Sequence, residues 1–123
     1  RDSIAQADAV LFATPEYNGS IPGGLKNALD WVSRPATSNA LRGKHVAVVG
    51  ASTGMFGAVW AQAELRKVLQ TIGAKVVDRE LPLMQAHDQF NPDGTLAEDD
   101  LRAQLAEHVA ELVAGASPVS VAA

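Results

Sequence analysis

Two short, nearly continuous runs of apolar residues constrain the fold of this chain more than any other feature. They are AVLFAT at Ala9–Thr14 and HVAVVGA at His45–Ala51, and neither alternates apolar with polar residues. Strands of a parallel sheet have this pattern because helices cover the sheet on both faces. A third, weaker strand is predicted at AKVVDREL, residues 74–81. We therefore expect an α/β fold with three parallel strands in this chain.

The segment between the first two strands has the pattern of an amphipathic helix. Leu25, Leu29 and Val32 recur at spacings of four and three residues and form one apolar stripe. Ser20 is the candidate N-cap of this helix, and Pro35 should stop it.

Two further helices are predicted downstream. One covers residues 57–72, and Gly73 after it is typical of a helix C-terminus in the left-handed conformation. The other opens with the T-x-x-E spacing of a capping box at Thr95 and Glu98. The tail, residues 115–123, should be frayed. The inner face of the last helix is predicted to carry Leu101, Leu105, Val109 and Leu112.

Strands and helices alternate along the whole chain, which is the signature of right-handed βαβ units. Residues 1–8, RDSIAQAD, have the pattern of the end of yet another helix. Doubly wound domains usually have about five or six strands, and three are few. We expect either that one more βαβ unit precedes Arg1 or that a partner covers the open edge strand.

Composition narrows the class of protein. The chain has 123 residues, enough for one domain, and 47% of them are hydrophobic. A net charge of −4 provides no basic surface, so no nucleic-acid partner is expected. No apolar run reaches the roughly 18 residues of a membrane span, and the N-terminus lacks a signal-peptide pattern. The absence of cysteine excludes disulfides and thiolate catalysis, and it suits a reducing compartment, so we expect a cytoplasmic protein.

Two loops form the candidate ligand site. They are TPEYNGS after the first strand and ASTGMFG after the second. The carboxyl ends of parallel strands meet at one edge of the sheet, where open α/β folds bind ligands. Loops that bend sharply into helices point main-chain N–H groups outward, and these suit a flat ligand with carbonyl oxygens and ring nitrogens. Ordinary turns use the same residues, so spacing alone leaves both interpretations open.

Other polar residues suggest no second site. His45, His87 and His108 lack the spacing of metal ligands, and no metal is expected. The acidic run at residues 93–100 is interpreted as the solvated first turn of a helix rather than a calcium loop.

The large apolar side chains leave more than one interpretation open. Trp31 and Trp60 are expected to be packing residues. Tyr17 is either a neighbour of the ligand or an interface residue, because it lies in a loop rich in glycine and proline. Met55 and Phe56 either border the ligand or pack against a neighbouring subunit.

The stretch TPEYNGSIPGGLKNALDW, residues 14–31, closely resembles the P-E-Y-N-x-S-x-P-G-x-L-K-N-A-[IL]-D-W signature of NAD(P)H-dependent FMN reductases. The resemblance continues through GKHVAVVGASTG, AQAELRKVL and FNPDGTLAEDDLRAQL. It implies a flavodoxin-like three-layer sandwich, in which residues 1–123 form a single domain equal to the C-terminal two-thirds of that fold. The family includes quinone, chromate and azo-dye reductases.

The resemblance also implies a site for the isoalloxazine ring of FMN. The first loop would line the ring, and the second would approach its pyrimidine side. Hydride would pass from NAD(P)H to the flavin, and electrons would then pass to a small-molecule acceptor without a catalytic side chain. The implied acceptors are quinones, free flavin, azo dyes and metal oxyanions. The implied cofactor-binding residues are Pro15, Glu16, Tyr17, Asn18, Gly19, Ser52, Thr53, Gly54 and Gly57.

One departure from the family pattern limits this interpretation. The family holds the FMN phosphate in a loop after an earlier strand, and this sequence contains no such loop. Charge-assisted hydrogen bonds to phosphate are stronger than neutral ones, so a chain without that loop should bind FMN more weakly. The resemblance further implies a homodimer or homotetramer, because the helix with Lys26, Asn27 and Trp31 commonly packs at a dimer interface.

Two hypotheses about function follow. The first is an FMN-dependent NAD(P)H oxidoreductase with a broad range of acceptors. The second is a non-catalytic remnant of a flavodoxin-like domain that oligomerises through its open strand edge.

Overall fold

The computed structural model describes residues 1–116 of the chain. Helices and strands alternate in the predicted order as far as residue 76, including a short N-terminal helix at the predicted place. The predicted frayed tail differs in part, because Gly115 and Ala116 belong to the last helix, and its remainder lies outside the described residues. The elements are α1 (Asp2–Gln6), β1 (Ala9–Thr14), α2 (Gly23–Val32), β2 (His45–Ala51), α3 (Val59–Ile72), β3 (Lys75–Val76), β4 (Pro82–Leu83), a 3₁₀ turn (Ala86–Asp88) and α4 (Asp99–Ala116).

The sheet is parallel, with β2 at its centre. β1 pairs with β2 along its whole length, from Ala9 opposite His45 to Thr14 opposite Gly50. On the other side of β2, β3 pairs with its first residues and β4 with its last. The first two predicted strands are confirmed with their bounds. The single third strand at residues 74–81 is wrong, because two strands of two residues each take its place.

The side chain of Gln62 explains why the third strand is interrupted. Gln62 is fully buried on α3, and its Nε2 donates to the carbonyl of Leu81 at 3.0 Å. Its Oε1 accepts from the main-chain N–H of Leu81 at 3.2 Å. A side-chain amide therefore satisfies both main-chain groups of Leu81, which a continuous strand would have paired with β2.

Helices cover both faces of the sheet and form three layers. Side chains alternate between the faces of a strand, so even-numbered residues of β1 and β2 face α2 and α3, and α4 packs on the other face. The main core lies between the sheet and α2 and α3. Its buried members are Ile21, Leu29, Leu41, Val46, Val48, Ala61, Leu65 and Leu69.

β1 is less covered than its sequence predicts. Leu11 is 44% exposed and Ala13 is also exposed, whereas the centre of β2 is buried. These residues are exposed because β1 lies at the edge of the sheet and no described strand pairs with its outer side. Its apolar residues therefore form an open edge.

The start of α2 differs from the prediction. The N-cap is Pro22 and makes no side-chain cap, so the proposed role of Ser20 is wrong. Ser20 instead closes a tight turn, because its main-chain N–H and carbonyl both bond to Tyr17. The predicted apolar stripe of α2 is confirmed, with Leu29 buried and Leu25 and Val32 packed against the core.

The capping box predicted for the last helix is also wrong. α4 begins at Asp99, and both the N–H and the hydroxyl of Thr95 donate to the carboxylate of Asp93. These bonds hold a turn ahead of the helix, and they lower the pKa of Asp93. The acidic first turn is confirmed in part: Asp99 and Asp100 lie there, whereas Asp93 and Glu98 precede the helix.

α3 starts two residues later than predicted. Gly57 and Ala58 are both in the left-handed conformation, with φ of 59° and 60°, so the helix begins at Val59. Its end is as predicted, because Gly73 has φ of 107° and donates its N–H to the last turn. Within residues 1–116, no helix combines the length and the apolar character needed to cross a membrane.

The inner face of α4 contains one residue that the apolar pattern omits. His108 has no exposed surface, and neither ring nitrogen has a hydrogen-bond partner of good geometry among the described residues. Burial lowers the pKa of His108 below 6.5, and the charges of Arg79 and Arg66 act in the same direction. The main chain of Val48 and the carboxylate of Glu111 oppose this shift without reversing it.

We predict that His108 makes the protein less stable as pH falls from about 7 to about 5. The unfolded chain takes up a proton near pH 6.5, whereas the folded chain resists protonation until a lower pH, so protons favour unfolding in that range. The free energy of unfolding, measured with urea at several pH values, should change less with pH for His108→Leu than for wild type. His87→Gln removes an exposed histidine as the matched control, and an equal slope in His108→Leu and wild type would contradict the prediction.

Candidate functional site

Both candidate loops lie at the carboxyl edge of the sheet, as predicted from the strand order. The register places Thr14, at the end of β1, opposite Gly50, near the end of β2. A cavity of about 390 Å³ opens at this edge, on the face covered by α4. Its lining is mostly apolar and comes from the ends of three strands and from α4: Ala13, Thr14, Pro15, Val49, Gly50, Ala51, Leu83 and Leu105.

The first loop contains a two-residue hairpin turn. Asn18 and Gly19 both have positive φ, 54° and 77°, as a type I′ turn requires. Tyr17 and Ser20 exchange main-chain hydrogen bonds of 2.8 and 3.1 Å across it. The amides of these two residues are thus occupied, whereas those of Asn18 and Gly19 have no acceptor among the described residues.

The second loop is held mainly by the chain that follows β4. The N–H of Ser52 donates to Leu83, and the carbonyls of Ser52 and Gly54 accept from Ala86 and Gln85. The hydroxyl of Ser52 also accepts from the N–H of Gly54 at 3.0 Å.

Thr53 differs from its two neighbours in the second loop. It is exposed, and within residues 1–116 its main-chain N–H makes no hydrogen bond. The amide of Thr53 is therefore one polar group that this loop can offer a ligand.

Gly57 lies against the sheet rather than at the open edge. It is buried, with φ of 59°, and a Cβ there would come within 2.7 Å of the main chain of Pro82 and Leu83. Its carbonyl accepts from Gln62. Gly57 thus allows β4 to approach the second loop closely, and this explains the residue type without a ligand.

Glu16 joins the two halves of the site. Its carboxylate accepts a hydrogen bond of 2.9 Å from the main-chain N–H of Ala61, in the first turn of α3. The other four predicted residues of the first loop, Pro15, Tyr17, Asn18 and Gly19, are exposed, and Tyr17 is 60% accessible.

Exposed aromatic side chains flank these loops. Phe56 and Trp60 contact each other with ring centroids 5.0 Å apart, and both are at least half exposed. Trp31 is 68% exposed on α2, so the expectation that it is a packing residue is wrong for this chain. Trp60 contacts another ring but does not enter the core. The positions of Trp31 and Trp60 in the helical pattern of the sequence did not distinguish them from core residues.

Sequence reasoning missed part of the site. Gly50, Leu83 and Leu105 line the cavity, and Gln62 holds the second loop in place. Two signals were present in the sequence. Glycine inside a strand often marks a close approach of another backbone, and a Cβ at Gly50 would lie 2.9 Å from the Thr14 carbonyl. Gln62 is a polar residue three positions before Leu65, on the apolar face of α3.

A second cavity, of about 380 Å³, lies between α2 and α3. Its lining includes charged pairs, Lys26 with Asp30 and Lys67 with Glu64, and no residue of either candidate loop. The carboxyl edge of the sheet is therefore the better candidate for a ligand site.

The residues at the carboxyl edge fit the ring of a flavin. The main-chain N–H groups of Asn18, Gly19 and Thr53 have no acceptor within residues 1–116, and N–H groups are the donor type that pairs with the carbonyl oxygens and nitrogens at such a ring edge. The adjoining cavity is mostly apolar and lies within the usual size range of small-molecule sites. The parallel sheet and its helical layers define a three-layer α/β protein.

Comparison with known proteins identifies the family. The model of the family described as NADPH-dependent FMN reductase matches residues 1–88, and the chain belongs to this family. An NAD(P)H-dependent FMN reductase of Pseudomonas aeruginosa is 44% identical over 103 residues, which are 83% of this chain and 55% of the relative. A 2-hydroxy-1,4-benzoquinone reductase of a Burkholderia species is 38% identical over 106 residues, which are 85% of this chain and 58% of the relative.

A solved structure gives the same result. The flavoenzyme NAD(P)H:(acceptor) oxidoreductase FerB of Paracoccus denitrificans superposes with a TM-score of 0.83 at 38% identity. The match covers 94% of this chain and 64% of FerB. The flavodoxin-like fold is thereby confirmed. The chain spans a little over half the length of the curated relatives described above.

We predict that Gly57→Ala is strongly destabilising. The new Cβ would clash with the main chain of β4, and a non-glycine residue in the left-handed region adds about 1–2 kcal/mol, so a total loss above ~2 kcal/mol is expected. Gly54→Ala is the matched control, because its nearest neighbour would be the Ser52 hydroxyl at 3.4 Å. Urea unfolding measures both, and equal losses would refute the role given to Gly57.

Proposed function

We propose that this protein is an FMN-dependent NAD(P)H oxidoreductase. Electrons would pass from the nicotinamide through bound flavin to a small-molecule acceptor: a quinone, free flavin, an azo dye or a metal oxyanion. The observation that carries the proposal is that both loops at the carboxyl edge present main-chain amides with no acceptor within residues 1–116, and that an apolar cavity at the same edge is lined by Pro15 of the first loop and Ala51 of the second. Membership of the NADPH-dependent FMN reductase family supports it independently.

The chain's own residues would bind and orient the cofactor. Asn18, Gly19 and Thr53 would donate main-chain hydrogen bonds to the ring edge, with Pro15 and Tyr17 beside it. Glu16, Ser52, Gly54 and Gly57 complete the proposed set, chiefly by fixing the shape of the two loops.

Preorganised donors near a ring that gains negative charge would stabilise its reduced form. When bound, FMN supplies the hydride and electron chemistry, so no side chain needs to act as acid, base or nucleophile.

Quinones are the acceptor class with the best support. The Burkholderia relative is named for reduction of a benzoquinone, and the cavity lining is mostly apolar. We also propose that the protein acts in the cytoplasm, since a cysteine-free sequence suits a reducing compartment.

We further propose a homodimer or homotetramer. Exposed apolar side chains such as Trp31, Phe56 and Leu11 support this, because burying them in a symmetric interface removes apolar surface from water. Light scattering coupled to size-exclusion chromatography should give a mass of two or four chains. A monomer at micromolar concentration would contradict this part of the proposal.

Anaerobic reduction tests the catalytic proposal. The purified protein is incubated with FMN, and unbound FMN is removed. NADH or NADPH is then added under argon. We expect bound flavin, bleaching of its visible absorbance by at least one nicotinamide, and return of the absorbance when a benzoquinone is added.

The alternative hypothesis of a non-catalytic oligomer predicts a different result. It rests on the open edge of β1, and it predicts a folded oligomer that neither retains flavin nor oxidises NAD(P)H. That result would refute the catalytic proposal.

A further inference from the structure

Glu16 occupies an unusual place in the candidate site. It lies in the first loop, yet its Oε2 accepts a hydrogen bond from the N–H of Ala61, 45 positions later in the chain. The side chain is partly buried, and the donor–acceptor distance is 2.9 Å. The two residues belong to different βα units. The bond therefore links the loop after β1 to the helix that follows the second loop.

The first turn of α3 otherwise lacks a side-chain cap. Its N-cap residue is Ala58, whose side chain has no hydrogen-bonding atom. The first N–H groups of a helix have no partner within the helix, and a carboxylate there also interacts favourably with the helix dipole. Glu16 therefore supplies from the first loop the cap that most helices obtain from their own N-cap residue.

This bond limits how far the two loops can move apart. Ala61 follows the second loop by only a few residues, and Gly57 is fixed against β4. Asn18 and Gly19 lie two and three residues after Glu16. A ligand that uses the amides of Asn18, Gly19 and Thr53 together needs both loops at a set separation, and small displacements of positioned groups are costly.

We propose that Glu16 is a positioning residue for the flavin ring, acting through the N–H of Ala61 rather than through contact with the ring. The inference rests on the proposed function. It differs from the role that family resemblance implies, in which Glu16 lines the ring directly. It also differs from a purely stabilising cap, which would affect unfolding but not ligand affinity.

Lumiflavin tests the proposal because it carries the ring without the phosphate chain. Glu16→Ala should bind it about tenfold more weakly than wild type, a difference of about 1.4 kcal/mol. Glu16→Gln keeps an oxygen that can accept from Ala61, so it should restore affinity to within about threefold of wild type, less than 1 kcal/mol. Fluorescence quenching on titration measures each dissociation constant.

A second probe separates positioning from direct contact. In 3-methyllumiflavin, N3 carries no hydrogen and cannot donate to a carboxylate. Positioning predicts the same loss of affinity for both probes in Glu16→Ala. If the loss disappears with 3-methyllumiflavin, Glu16 contacts the ring itself and the proposal is overturned.

Asn39→Ala is the control for general loss of stability. Asn39 is buried and bonds to Ala36, Leu41 and Ile72, close to the other end of α3. This variant should lose stability but bind lumiflavin as wild type does. Equal affinity in Glu16→Ala and wild type, or no rescue by Glu16→Gln, would also overturn the proposal. Failure of wild type to bind FMN or lumiflavin would instead refute the proposed function.

Discussion

The parallel pairing of β1 with β2 is the constraint on which the rest of the structure depends. Because Thr14 lies opposite Gly50, the connections after both strands leave the sheet at the same edge. A shift of one residue would move Val10 and Phe12, which pack against the core, to the opposite face of the sheet. The pairing also requires Gly50, since any side chain there would meet the Thr14 carbonyl and α3. The register therefore fixes both the core and the position of the candidate site.

Much of this architecture could be predicted because its signal is local. The apolar runs gave β1 and β2 with their bounds, and Gly73 marked the end of α3. The Asn-Gly pair in the first loop is also a local signal, since this pair favours the positive φ values that Asn18 and Gly19 adopt. Features of this kind depend on a few neighbouring residues, so a single sequence contains them.

The remaining features depend on contacts between distant residues. Gln62 interrupts the third strand by bonding to Leu81, and Glu16 caps a helix that starts more than 40 positions later. Ser20 and Thr95 fit local capping patterns, but each takes a different partner in the folded chain. A capping pattern in the sequence indicates which hydrogen bond a side chain is able to form, whereas the surrounding turn determines which hydrogen bond it does form. The close packing of Gly57 against β4 is likewise a contact between distant residues, which the local sequence does not show.

The proposed function requires the amides of Asn18, Gly19 and Thr53, in two separate loops, to bind the edge of a flavin ring. The most direct measurement is the amide chemical shifts of ¹⁵N-labelled protein during titration with lumiflavin. We predict the largest changes at Asn18, Gly19 and Thr53, with smaller changes along the cavity lining. Changes confined to the cavity between α2 and α3, with these three amides unaffected, would contradict the account.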